Sequence, residues 1–114
     1  MEALISMRDD VKGGALTEVT FLILLSLYRP RHGYAVMQYI EERTGGRLLL
    51  GAGTLYGALN ALLKKGWIEP FGTGSERKKN YVVTESGKRA AENELERLKQ
   101  VVDLASQAMG GKLK

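Results

Sequence analysis

The chain has 114 residues, 44% apolar and 26% charged, which fits one globular domain with a real but limited core. It has no cysteine and one histidine, His32, so disulfides and thiolate or histidine-rich metal sites are excluded, and no metal or cofactor is expected. The whole formal charge of +4 sits in Lys64–Arg89, with seven basic and three acidic residues, an excess that suits nucleic acid, a membrane surface or a solvated face.

Residues 1–14 carry charges of both signs and no apolar run, so they read as a flexible arm and not as a secretory signal. A first helix is expected over Leu16–Tyr28. Its Val19, Phe21, Leu22, Ile23, Leu24, Leu25 and Leu27 leave almost no polar face. The apolar stretch Leu16–Leu27 is 12 residues long and is interrupted by Thr17, Glu18, Thr20 and Ser26. A spanning helix needs about 20 apolar residues, so this one belongs in a core. A helix apolar nearly all round must be covered on several sides. That points to a partner chain, with Phe21 and Leu24 at the interface.

Pro30 and Gly33 mark the break that follows. A second helix is expected over Tyr34–Thr44, with Val36, Met37 and Ile40 as its apolar stripe and Gly45-Gly46 as its stop. Leu48–Leu50 reads as a short strand. A third helix follows over Thr54–Lys65 and ends at Gly66. Two short helices joined through glycines outline a helix-turn-helix. Trp67–Thr73 and Asn80–Thr84 read as strands joined by a polar, basic tip over Gly74–Lys78. Thr84 is the expected N-cap of a last helix, Glu85 to about Met109, and residues 110–114 are an expected frayed tail. The expected fold is α+β, mainly α with a small β-hairpin: a winged helix-turn-helix over 15–84, then a long dimerisation helix over 85–109.

The third helix divides cleanly. Leu55, Leu59 and Leu62 share one side; Gly57, Asn60 and Lys64 lie opposite, with Thr54 and Tyr56 on the shoulders. An element entering a major groove needs little bulk, hydrogen-bonding groups near its N-terminus and no acid, and the outer face meets all three conditions. Arg77, Lys78 and Lys79 add a basic wing suited to phosphates or a minor groove. In the last helix Ala91, Leu95, Leu98, Val102, Ala105 and Met109 recur at alternating spacings of four and three, a coiled-coil seam suited to a homodimer. Catalysis has little support. His32 has no paired nucleophile, and Gly51-Ala52-Gly53 lacks the lysine of a phosphate loop.

Thr17–Leu27, His32-Gly33-Tyr34, Glu41–Gly46, Gly53–Tyr56 with Ala58-Leu59, and Tyr81 with Thr84–Gly87 occur in order over residues 15 to 105. In this the chain resembles the PadR family of transcriptional regulators, in its short form with a single C-terminal helix. The resemblance implies a cytoplasmic homodimer, usually a repressor, joined through the first and last helices and binding a palindrome in duplex DNA. It implies roles near DNA for Thr54, Tyr56, Lys78 and Lys79, and a core or DNA-facing role for Tyr34. The chain departs from the family at Gly57, where proline is usual, at Asn80, where an aromatic is usual, and at Val82, often arginine. Two alternatives accompany this reading: a regulator sensing a small aromatic molecule at the dimer interface, and a winged-helix protein-interaction module.

Overall fold

The computed structural model describes residues 14–72 and 79–110. The expected arm before residue 14 and the tip of the wing, including Arg77 and Lys78, lie outside them, as does the tail beyond Gly110. The elements are α1 (Glu18–Ser26), β1 (Arg31–His32), α2 (Gly33–Arg43), α3 (Ala52–Lys65), β2 (Ile68–Phe71), β3 (Asn80–Val83) and α4 (Glu85–Ala108). This is an α+β winged-helix architecture, and the described residues form four helices and a three-stranded antiparallel sheet in the order β1-β3-β2.

Local chemistry sets most boundaries. Thr17 caps α1 by accepting the Thr20 N–H, and His32 caps α2 by accepting the Ala35 N–H on Nδ1. The α3 helix closes on Gly66, whose φ of 77° suits glycine, and the Trp67 N–H then donates back to the Leu62 carbonyl at 3.0 Å. Thr84 serves two helices at once. Its hydroxyl accepts the Gly87 N–H as the N-cap of α4 and donates to the Gly66 carbonyl at 2.7 Å. That one side chain joins the end of α3 to the start of α4.

The core gathers Ile23, Leu24 and Leu27 of α1, Val36 and Ile40 of α2, Leu55, Leu59 and Leu62 of α3, and Ile68, Tyr81, Val83 and Ala91. Each fully buried leucine or isoleucine contributes about 1.5–3 kcal/mol of transfer free energy. Pro70 lies in β2, an edge strand of the sheet, where a missing N–H costs little.

Three expectations need correction. Leu48–Leu50 is irregular and not a strand. Leu48 and Leu50 pack against the core, and the Leu48 N–H donates to the Thr44 hydroxyl. The third strand is instead Arg31–His32, paired with β3 as Arg31↔Tyr81 and His32↔Asn80. Leu24, expected at a subunit interface, has no exposed surface. It is covered by the chain's own core and offers nothing to a second copy.

Candidate nucleic-acid interface

The amphipathic pattern of α3 is realised in space. Leu55, Leu59 and Leu62 are buried, while Thr54, Tyr56, Gly57, Asn60 and Lys64 are exposed along the opposite side. No acidic residue occurs anywhere in Ala52–Lys65, and Lys64 and Lys65 occupy the last turn, where the helix dipole favours cations. The helix begins at Ala52, two residues before the expected start, so Gly57 lies in its second turn and outside the first. Its N-cap is Gly51, which provides no side-chain hydrogen bond. The first-turn N–H groups are therefore not occupied by a capping side chain, and groups of this kind can donate to a phosphate.

The start of α2 packs against this helix. A Cβ built on Gly33 would lie 2.7 Å from Cζ of Tyr56, so the Tyr56 ring rests directly on the Gly33 backbone. Beside it Tyr34 is 60% exposed, which settles its position as surface and not core. The His32 and Tyr34 rings are stacked, with centroids 6.5 Å apart. The register His32↔Asn80↔Phe71 then places the root of the wing next to the first turn of α2. Lys79, half-buried, stands at that root. Tyr34 of α2 and Tyr56 of α3 thus stand at one helix-helix contact, and Lys79 directly precedes the β3 residue that pairs with His32.

Other charges are held elsewhere. Glu18 accepts a forked pair of hydrogen bonds from Arg47, one at 3.3 Å. That guanidinium holds the Glu18 carboxyl below its ordinary value. Glu94 is only 4% exposed, and Arg97 donates to it at 2.9 and 2.6 Å. The Leu16 backbone N–H adds a third bond at 3.1 Å. Arg97, and to a lesser degree the Leu16 N–H, depress the Glu94 carboxyl against the opposing effect of burial. Lys65 turns back over the Trp67 ring at 4.9 Å, and Trp67 packs against the core.

Of the residues expected at a subunit interface, Leu95, Val102 and Met109 are exposed, and Phe21, Leu98 and Ala105 are partly buried. An apolar recess of about 250 Å³ between α1 and α4 is lined by Phe21, Leu25, Tyr28, Ala91, Glu92 and Leu95. Sequence reasoning read Gly33 only as a break and a family motif, and missed its close contact with Tyr56 and the Glu94–Leu16 bond. Gly33 has no positive φ to announce it, and a carboxylate seated against a backbone N–H 78 residues away leaves no local pattern. Among the described residues no group of three or more histidines or carboxylates could hold a metal, and no helix is long and apolar enough to cross a membrane.

Residues 21–93 match the Transcriptional regulator PadR-like family. The chain is 31% identical over 104 residues to Uncharacterized protein X of Lysinibacillus sphaericus, covering 86% of this chain and 94% of that protein. The PadR-like transcription factor of Bacteroides fragilis superposes with a TM-score of 0.69 at 19% identity, over 95% of this chain and 99% of that one. Bacillus subtilis PadR, solved in complex with operator DNA, superposes with a TM-score of 0.60 at 26% identity, over 69% of this chain and 47% of that one.

Proposed function

The chain belongs to the PadR-like family of transcriptional regulators, and from that premise we propose that it is a cytoplasmic repressor that binds a two-fold symmetric site in duplex DNA as a homodimer. The observation that carries this reading is the outer face of α3: exposed, acid-free, small and polar at its start and basic at its end. In this reading Asn60 and Thr54 meet base edges, and Tyr56 and Tyr34 flank them. Gly57 allows close approach, and Lys64 takes a phosphate. Arg77, Lys78 and Lys79 follow the neighbouring backbone. The operator complex of the 26%-identical Bacillus subtilis protein supports DNA as the partner.

The dimer is formed through Phe21 with Leu95, Leu98, Val102, Ala105 and Met109. Val102 is 55% exposed, and a two-fold contact along the seam would remove this apolar surface from water. Selection of bound duplexes from a random pool, followed by a salt titration, tests the proposal. The expected outcome is an enriched inverted repeat and a steep log–log salt slope equivalent to about 6 to 10 phosphates. No enrichment with a flat slope contradicts it. A second reading, a small aromatic effector acting at the interface, draws on the recess beside Phe21 and Tyr28. Titrating aromatic compounds while following Trp67 fluorescence tests that reading.

A further inference from the structure

The sheet carries an uncommitted polar pair on its outward face. In β3, Tyr81 and Val83 are buried while Asn80 and Val82 are half-buried, so the latter two turn away from the core. The register His32↔Asn80↔Phe71 sets these three side chains in one row on the outward face. Partners across antiparallel strands share a face, with Cβ atoms about 5 Å apart. The row lies at the last residue of β2 and the first of β3, the ends nearest the wing tip. Glu69, the acid on this face, pairs with Val82 and so lies farther from the tip.

The hydrogen bonds define what the row can offer. Nδ1 of His32 accepts the Ala35 N–H at 3.2 Å, so it bears no proton and the ring proton sits on Nε2. His32 therefore presents an uncharged N–H donor. Among the described residues neither that Nε2 nor the Asn80 side-chain amide has a hydrogen-bond partner. No buried side-chain nitrogen or oxygen lacks a partner there, so both groups open to solvent. Two donors on neighbouring strands suit the oxygens of one phosphate, an acceptor-only group. The place is continuous with the outer face of α3: Gly33, next after His32, carries the Tyr56 ring, and Tyr34 stacks with the imidazole.

We infer that the His32 Nε2–H and the Asn80 amide together hold one phosphate of the duplex, as an uncharged clamp between α3 and the wing. The inference rests on the proposed DNA binding and adds a contact that salt does not report. A cation on a phosphate releases counterions and steepens the salt slope, whereas a neutral donor leaves the slope alone. His32→Asn keeps a residue that caps a helix well but loses the outward donor. Asn80→Val keeps a strand-forming residue and leaves the cap untouched. Each should weaken binding of the selected duplex about tenfold. A scrambled duplex should lose the same factor, because a phosphate contact carries no sequence information. The salt slope should stay as it was in both variants, while Lys64→Ala flattens it. Unchanged affinity in Asn80→Val, a loss confined to the selected duplex, or a flattened slope in either variant overturns the clamp and leaves DNA binding standing. An unsubstituted chain that binds no duplex overturns both. The chain has one histidine, so its imidazole signals are unambiguous. Nitrogen NMR of the free chain should show the Nε2–H tautomer, and the Nε2–H proton should move downfield when duplex is added. An Nδ1–H tautomer, or an Nε2–H signal that duplex does not move, overturns the role of His32.

Discussion

The Tyr56 ring lies on the backbone of Gly33, at a distance that leaves no room for a methyl group. Gly33→Ala should therefore push Tyr56 outward or part α2 from α3. Overpacking of this kind costs about 1–3 kcal/mol, readable as a lower urea midpoint with an unchanged slope. Truncating the ring in Tyr56→Ala should largely relieve the Gly33→Ala penalty. A double-mutant cycle with no coupling between the two positions contradicts the contact.

The Glu94 carboxylate is buried and accepts three hydrogen bonds. Glu94→Ala leaves the Leu16 N–H unmatched, and the loss should be about 1.5–3 kcal/mol in chemical denaturation. The pH dependence has a definite sign. A carboxyl held below its ordinary value in the fold adds stability that is full above the unfolded value and is lost as pH falls through the folded one. Stability should therefore fall as pH drops below about 4, and Glu94→Gln should flatten that part of the profile. A parallel profile in the variant excludes Glu94 as its source.

Gly57 sits in the second turn of α3 with open space where a Cβ would go. Gly57→Ala should stabilise the fold by about 1 kcal/mol, raising the thermal midpoint. In the proposed reading the same methyl sits at the groove surface, so duplex affinity should fall while stability rises, and an unchanged affinity contradicts close approach at Gly57. A destabilised variant would show that the site is not open.

Val102 is exposed on the proposed seam. Val102→Asp should leave the thermal transition of the isolated subunit in place but shift sedimentation toward the single-chain mass. Duplex affinity should fall with it, because each subunit then holds only one half-site. A dimer that survives this change excludes the seam.

The sequence made the helices legible because their boundaries are local chemistry. The Thr84 cap on the Gly87 N–H, the Gly66 turn and the Leu55-Leu59-Leu62 spacing are each readable from a few consecutive residues. The acid-free face of α3 was legible for the same reason. What escaped was non-local. The strand at Arg31–His32 has two residues and exists only because β3 offers an edge. Leu48–Leu50 has strand composition but pairs with no strand among the described residues. Leu24 and Leu25 are alike in sequence, and only the direction of the core separates a buried leucine from a partly covered one.

His32 belongs to two elements. Its backbone pairs with Asn80 in the sheet, and its imidazole caps α2. No linker residue separates β1 from α2, so the sheet and the helix pair are joined directly at His32 and form one head. In the proposed DNA-binding reading, any mismatch between that head and a curved duplex would fall on the nucleic acid. Sites whose steps bend easily would be favoured even where no side chain touches a base.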